Sequence, residues 1–229
     1  LEKINAFLES RDRIFILQGY AGSGKTTLLK GIAEYLQNQG TKFQLMAPTG
    51  RAAKIINEKT GFESTTIHKG IYSFEELIEI KQEENDNDVS FLYQYKLRNN
   101  PEAFDSVLLV DEASMVSDIL SKGEFFRFGS GYLLKDLFRY ARINDFSAKS
   151  KIIFVGDPAQ LPPIGMNFSP ALDADYLASK YNLEISIATL KEVKRQNSTN
   201  GILRAATKIR QCLTSGYFND FNLKENNED

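Results

Sequence analysis

The chain has 229 residues, 42% of them hydrophobic and 25% charged, so it can bury the core of one α/β domain with a small insertion. Its single cysteine, Cys212, excludes an internal disulfide and a zinc site built from several cysteines, and it favours a reducing compartment. No apolar run reaches membrane-span length and the N-terminus lacks a signal-peptide pattern, so we expect a soluble, cytoplasmic protein with no membrane partner.

The net charge of −2 is unevenly distributed. Residues 75–88 carry a net charge of −6 and residues 220–229 a net charge of −3, which leaves +7 on the rest of the chain. A mildly basic body with two acidic appendages is compatible with binding a polyanion but does not require it.

The first pattern with chemical meaning is Gly19-Tyr20-Ala21-Gly22-Ser23-Gly24-Lys25-Thr26, which has the form G-x-x-x-x-G-K-[ST]. Residues 14–17 before it form an apolar run typical of a buried strand, and residues 27–39 after it have helical periodicity. The glycines allow backbone N–H groups to point at phosphate oxygens, and the helix dipole adds positive potential. Lys25 supplies a charge to the terminal phosphates and Thr26 a hydroxyl ligand for Mg²⁺.

A second strand is predicted at residues 43–47, followed by a break at Pro48-Thr49-Gly50 and a helix from Arg51. Residues 71–104 differ in character, because an acidic cluster at residues 83–88 separates two mixed segments as in a hairpin tip. Apolar and polar side chains alternate after this cluster with the period of a strand. We therefore predict a small inserted β element.

Asp111 and Glu112 directly follow a buried strand at residues 106–110, where an α/β sheet presents side chains to a ligand. Beside a phosphate loop, Asp111 is suited to hold Mg²⁺ through water and Glu112 to orient and deprotonate the attacking water. An acidic pair that only caps the next helix is the alternative.

The remaining elements are predicted as a largely helical segment at residues 115–142 that is interrupted near Gly129-Ser130-Gly131, strands at residues 151–155 and 185–190, and a helix at about residues 198–213. Gln160 lies in a Gly/Pro-rich loop after the strand at residues 151–155, where its amide could sense the γ-phosphate or the attacking water. Arg195 is a candidate stabiliser of charge in the transition state. The alternatives are a glutamine in a surface turn and an arginine on a solvated face.

The order of these motifs resembles that of superfamily 1 helicases, in particular the 5′-to-3′ branch with RecD-like, Dda-like and Pif1-like enzymes. The resemblance spans about residues 14–210. The motifs that carry it are Gly19–Thr27, Ala47-Pro48-Thr49-Gly50-Arg51-Ala52-Ala53, Thr66-Ile67-His68, Asp111-Glu112-Ala113-Ser114, Gly156-Asp157-Pro158-Ala159-Gln160-Leu161-Pro162-Pro163 and Glu192-Val193-Lys194-Arg195-Gln196.

The resemblance implies an α/β P-loop NTPase fold, a three-layer RecA-like domain with a mainly parallel central sheet, that turns ATP hydrolysis into movement along single-stranded DNA. It implies catalytic roles for Lys25, Glu112, Gln160 and Arg195, and Mg²⁺ ligation by Thr26 and Asp111. The implied ATP-binding residues are Gly19, Tyr20, Ala21, Gly22, Ser23, Gly24, Lys25, Thr26 and Thr27. The implied nucleic-acid contacts are Pro48, Thr49, Gly50, Arg51 and His68.

The insertion lies where these enzymes carry a strand-separating pin, which makes Phe91, Tyr93 and Tyr95 candidates for a wedge. An aromatic stripe at strand spacing is also typical of a packed core. His68, the single histidine, has the same alternative, as a packed loop residue.

The expected domains are a RecA-like ATPase domain at residues 1–70 and 105–215, the pin-like insertion at residues 71–104 and an acidic, disordered tail at residues 216–229. The family's upstream adenine-reading segment and second RecA-like domain are not found in the chain, so we do not expect it to unwind DNA by itself. No oligomer is implied. A nucleotide-gated binding module and a DNA-independent P-loop NTPase remain alternative functions.

Overall fold

The computed structural model describes residues 2–20, 22–85, 88–101, 105–121, 123, 125–190, 208, 209 and 212, with the backbone alone for the strand residues between 81 and 91. The predicted tail at residues 216–229 and most of the predicted helix at residues 198–213 lie outside these residues. None of the helices in the described part of the chain is long and apolar enough to cross a membrane.

Six parallel strands form the central sheet. In chain order they are β1 (Ile14–Gly19), β2 (Lys42–Ala47), β3 (Ser64–Thr66), β6 (Ser106–Val110), β8 (Lys151–Gly156) and β9 (Ile185–Leu190). Their order across the sheet is β3-β2-β6-β8-β1-β9, and every neighbouring pair is parallel. The predicted parallel sheet is therefore confirmed, and its carboxyl edge collects the ends of β1, β2, β6 and β8.

Helices cover both faces of this sheet, because alternate side chains of each buried strand point to opposite sides. Phe15 and Leu17 pack in one apolar cluster with helices α1 (Glu2–Glu9), α2 (Lys25–Asn38) and α3 (Gly50–Thr60). Ile14 and Ile16 pack in a second cluster with α4 (Ile67–Ile71), α5 (Leu133–Tyr140) and α6 (Ala174–Tyr181). These two clusters and the sheet make up the three predicted layers.

A second, smaller sheet contains the predicted hairpin. Strands β4 (Tyr72–Asn85) and β5 (Asp88–Leu97) are antiparallel, and Asn85 pairs with Asp88 beside the predicted tip. A third strand, β7 (Phe126–Phe128), runs parallel to β5. The hydroxyl of Tyr72 donates a 2.8 Å hydrogen bond to the buried Asp136, which ties the start of β4 to α5.

The prediction that residues 115–142 are largely helical is wrong for most of that segment. Among the residues of this segment that the structure describes, there is a 3₁₀ turn at Ala113–Met115, irregular backbone, strand β7, and then α5 over eight residues only. Phe126 and Phe128 join a strand because their rings pack beside Tyr93 and Tyr95 of β5, which a pattern local to residues 115–142 does not reveal.

The loop that follows Glu112 is anchored to α6, a helix that sequence patterns did not predict. The buried carboxylate of Asp118 accepts hydrogen bonds from Tyr176 and Tyr181, each at 2.7 Å, and from Lys180 at 2.8 Å. Burial and the hydrogen bond to Asp118 raise the pKa of Tyr181, so its phenol stays a donor. The anchor fixes the far end of the loop that begins at the acidic pair.

Candidate nucleotide site

The phosphate loop joins β1 to α2, as its sequence pattern requires. Gly24 is the N-cap of α2 with a φ of 86°, a left-handed conformation that glycine adopts without steric cost. The hydroxyl of Ser23 is buried and makes no hydrogen bond with any described residue. The ammonium of Lys25 donates to the carbonyls of Gly19 and Tyr20, at 2.8 and 3.1 Å. The loop therefore offers an incoming anion a buried hydroxyl and an ammonium group that, within the described part of the chain, is bound only to backbone carbonyls, which fits a phosphate group.

A cleft of about 420 Å³ opens beside this loop, at the carboxyl edge of the sheet. It has the size of a typical small-molecule site. The predicted site residues that line it are Gly22, Gly24, Lys25, Thr26, Thr27, Thr49, Arg51, Asp111, Glu112 and Gln160. A larger groove, of about 1270 Å³, runs past Arg13, Ser106 and Lys151 near the amino ends of the strands. The smaller cleft is the candidate site because it alone of these two contains the motif side chains.

Asp111 lies at the end of β6 with 5% of its surface exposed. Burial raises its pKa to about 6, while a hydrogen bond from the Glu112 N–H and the positive charges of Lys25 and Lys59 act in the opposite direction. That hydrogen bond measures 2.9 Å between the amide nitrogen and Oδ1. The carboxylate is therefore oriented, and its ionised form depends on nearby positive charge.

Oxygen ligands of this kind suit Mg²⁺, which is usually held by one or two carboxylates together with phosphate groups and water. The Thr26 hydroxyl and the Asp111 carboxylate both line the cleft. Among the described residues, no group of three or more His, Cys, Asp and Glu side chains could form a self-sufficient metal site. The donor set fits a cation that is shared with bound phosphates.

Glu112 has left-handed backbone torsions, with φ 51° and ψ 37°. This conformation is rare for a residue other than glycine and costs on the order of 1 kcal/mol. Two hydrogen bonds of the following 3₁₀ turn stabilise this conformation. The Met115 N–H donates to the Glu112 carbonyl, and the Val116 N–H donates to the Ala113 carbonyl. The strained backbone directs this half-buried carboxylate to the cleft wall, where it can act on a reacting group.

Gln160 belongs to a turn at the end of β8. Its N–H donates to the carbonyl of Asp157 at 3.0 Å, and the Asp157 carboxylate accepts from the Ala159 N–H at 3.1 Å. Asp157 is fully buried, which fixes the turn against the sheet. The Gln160 side chain lines the same cleft as Lys25 and Glu112.

Gly156 allows the acidic-pair turn to approach β8. A Cβ atom at this position would lie 2.7 Å from Leu172 Cδ1 and 3.3 Å from the backbone nitrogens of Ala113 and Ser114. Contacts this short force either the leucine or the turn to move. The glycine therefore lets the turn beginning at Glu112 pack tightly against the end of β8.

Gly156→Ala is expected to lower the free energy of unfolding by about 1 kcal/mol, a typical cost of overpacking. Thermal unfolding of the variant and of the wild-type chain measures this change in the free energy of unfolding. The matched control is Gly31→Ala in α2, where an added Cβ meets nothing within 4 Å and alanine should stabilise the helix. Equal effects of the two substitutions would contradict the close approach at Gly156.

The predicted nucleic-acid residues divide between two places. Thr49 and Arg51 line the nucleotide cleft, whereas Pro48 and Gly50 are not among the described residues that do so. His68 lies in α4, half-buried, with its ring centroid 5.0 Å from Phe128 and 5.7 Å from Tyr72. Burial lowers the pKa of His68, which favours a neutral ring.

The described pin candidates are engaged in the second sheet. Tyr95 stacks on Phe128 with centroids 4.9 Å apart, and it contacts Phe74 at 5.1 Å. Tyr93 lies 6.0 Å from Phe126. These contacts are those of a packed aromatic cluster. Phe91 is described by its backbone only, and Ala21 and Arg195 lie outside the described residues.

Sequence reasoning gave no site role to five residues that line the cleft, namely Ala52, Ile55, Ile56, Lys59 and Met115. Ile55 and Lys59 follow Arg51 at successive intervals of four residues on α3, so helical periodicity was the signal that could have found them.

A parallel sheet with a phosphate loop after β1 and an acidic pair after β6 defines a P-loop NTPase. The chain belongs to the AAA domain family, whose model matches residues 1–122.

Relatives within the helicases make the assignment more specific. The chain is 27% identical over 194 residues to the ATP-dependent RecD2 DNA helicase of Deinococcus radiodurans, covering 85% of the chain and 21% of that protein. It is 30% identical over 211 residues to the ATP-dependent DNA helicase dda of Enterobacteria phage T4, covering 90% of the chain and 40% of that protein. The chain thus spans less than half the length of these relatives.

The fold is similar to that of the Pif1 helicase from Candida albicans, with a TM-score of 0.53 and 20% identity over 92% of the chain and 43% of that protein. Together these similarities confirm the predicted RecA-like domain of the 5′-to-3′ branch of superfamily 1. The chain is a helicase-type ATP-binding motor domain.

Proposed function

We propose that the chain hydrolyses ATP in the described cleft and couples this reaction to movement along single-stranded DNA, acting with a second RecA-like domain. One observation carries the proposal. The phosphate loop, Asp111, Glu112 and Gln160 border a single cleft with Thr49 and Arg51, which the helicase motifs assign to the DNA path. Changes at the nucleotide can therefore act directly on the loop before α3.

In this proposal the loop amides and Lys25 bind the phosphates, while Thr26 and Asp111 hold Mg²⁺. The cation neutralises charge on the phosphates. Glu112 orients the attacking water and accepts its proton at the carboxylate.

The Gln160 side chain lines the cleft, and its turn is held by a backbone hydrogen bond to Asp157. It is therefore suited to respond to whether the terminal phosphate of the nucleotide is present. We still propose that Arg195 stabilises the negative charge that develops on the phosphate oxygens in the transition state.

DNA contacts are proposed at the Pro48-Thr49-Gly50-Arg51 segment. Thr49 caps α3 by accepting a 3.2 Å hydrogen bond from the Ala52 N–H, which orients the first turn of the helix. Hydroxyl, guanidinium and backbone N–H groups contact phosphates without reading bases, so binding should not depend on sequence. The packed ring of His68 would support this segment through α4.

The test is ATP turnover with and without single-stranded DNA, in a protein that joins this chain to its second RecA-like domain. Single-stranded homopolymers should raise turnover, and typical coupling free energies correspond to about 5- to 150-fold. Lys25→Ala is the control, because it should remove turnover under both conditions. Turnover that depends on Lys25 but ignores single-stranded DNA would favour a DNA-independent P-loop NTPase and overturn the proposal.

A further inference from the structure

Helix α3 presents one exposed side chain per turn to the nucleotide cleft. Arg51, Ile55 and Lys59 follow one another at intervals of four residues, and all three line the cleft. Ala53 and Ile56 of the same helix are buried in the core, and Ile56 also borders the cleft. The packed side of the helix holds its backbone against the core, and both cations of this stripe line the cleft that contains the phosphate loop.

The charge balance of the cleft gives these cations a role. The phosphate loop and the acidic pair contribute one lysine, Lys25, and two carboxylates, Asp111 and Glu112, which leaves an excess of negative charge. A polyanionic nucleotide would be repelled by that excess. Arg51 and Lys59 reverse the sign. Neither makes a salt bridge with any described residue, so no carboxylate in the described part of the chain neutralises their charge through an ion pair.

Lys59 lines the same cleft as Asp111 and Glu112, so it brings positive charge to the cleft that contains the acidic pair. The loop amides and Lys25 account for the inner phosphates of a nucleotide. The outermost phosphate is the one that must approach the acidic pair, where Mg²⁺ and the attacking water are needed. A cation near that pair therefore affects a triphosphate more than a diphosphate.

We propose that Lys59 is a second cation of the nucleotide site and that it favours nucleoside triphosphate over nucleoside diphosphate. The inference rests on the proposed function, because it takes the cleft as the site of ATP. A DNA phosphate could also pair with an exposed lysine. Lys59 lies two helical turns along α3 from the Pro48-Thr49-Gly50-Arg51 segment proposed for DNA, while it still lines the cleft that contains the phosphate loop, and this placement favours the nucleotide.

The experiment measures dissociation constants of the 229-residue chain for a fluorescent, non-hydrolysable ATP analogue and for fluorescent ADP, with Mg²⁺ present. Lys59→Met should weaken binding of the triphosphate about threefold at low salt and leave that of the diphosphate nearly unchanged, which is the range expected for an exposed charge pair. Lys59→Arg should restore the preference. Raising the ionic strength should shrink the difference.

Lys54→Met is the matched control. Lys54 lies on the same helix, on another face, where it pairs with Glu58 at 3.9 Å. It should leave both dissociation constants unchanged. Thermal unfolding of all variants should remain close to that of the wild-type chain, because both lysines are exposed.

Several outcomes would overturn the inference. These are a Lys59→Met chain with an unchanged triphosphate preference, equal weakening by Lys54→Met, or a wild-type chain with no such preference. Weaker binding of single-stranded DNA with unchanged nucleotide binding would assign Lys59 to the DNA instead. If Lys59→Met removes the preference while ATP turnover ignores single-stranded DNA, the proposed coupling fails and the role of Lys59 stands.

Discussion

Glu112→Gln is expected to lower ATP turnover by at least about 100-fold, because an amide cannot accept the proton of the attacking water. The substitution keeps the shape of the side chain. It also leaves the backbone N–H that orients Asp111, so the cleft should stay assembled. Nucleotide affinity should be equal or higher, since one negative charge near the phosphates is removed.

Steady-state ATP turnover and nucleotide binding, measured on the same preparation, check this result. Glu58→Gln is the control, because Glu58 is exposed on α3 and pairs only with Lys54 among the described residues. It should leave turnover unchanged. Full turnover in Glu112→Gln would remove Glu112 from the proposed catalytic role, and loss of nucleotide binding would indicate a structural role.

Asp111→Asn is expected to stabilise the fold in metal-free buffer above pH 7, by about 3 kcal/mol, which corresponds to a rise in Tm of about 6–12 °C for a chain of this size. The pKa of Asp111 is raised from 3.8 to about 6 in the folded chain, because burial disfavours its charge. Between these two values the folded chain keeps a proton that the unfolded chain has lost. Stability therefore falls as pH rises through this window, and it stays lower above it.

Asparagine avoids the cost of the buried charge and retains an oxygen that can accept the Glu112 N–H. The difference in Tm between the variant and the wild-type chain should thus shrink as pH falls from 7 to 4. Asp105→Asn is the matched control, because Asp105 is exposed and directly precedes the start of the same strand. Its Tm should be nearly unchanged across this range.

Addition of Mg²⁺ and nucleotide should reverse the order of stability, because the wild-type carboxylate gains a cation and asparagine is a much weaker ligand. A wild-type chain that gains no stability from Mg²⁺-nucleotide would contradict the assignment of Asp111 as a metal ligand. A variant that is less stable than the wild-type chain in metal-free buffer would contradict the cost assigned to the buried charge.

The buried strands and the motifs that follow them could be predicted from the sequence, because the patterns that identify them lie within a few consecutive residues. Residues 107–110 are apolar throughout, since both faces of the strand are covered, and the acidic pair ends the run abruptly. The segment at residues 116–128 had no such signal. Its short strand exists because Phe126 and Phe128 meet the tyrosines of β5, about thirty residues earlier in the chain.

The short helix α6 was missed for a related reason. Asp173 caps it through a 2.9 Å hydrogen bond from the Tyr176 N–H, which is a recognisable local signal. With eight residues and one fully buried side chain, Leu177, the helix offers little periodicity to detect. Its stability depends on Asp118, which lies about sixty residues away in sequence.

The sequence by itself determined the phosphate loop, the acidic pair and hence the class of reaction, because the chemistry of phosphate and Mg²⁺ requires particular residue types at short, fixed spacings. Only the tertiary structure decided which other side chains line the cleft beside the phosphate loop and the acidic pair. It turned Lys59 toward the cleft and packed His68 and Tyr95 into one aromatic cluster around Phe128. These placements depend on how helices and sheets pack, which no local spacing encodes.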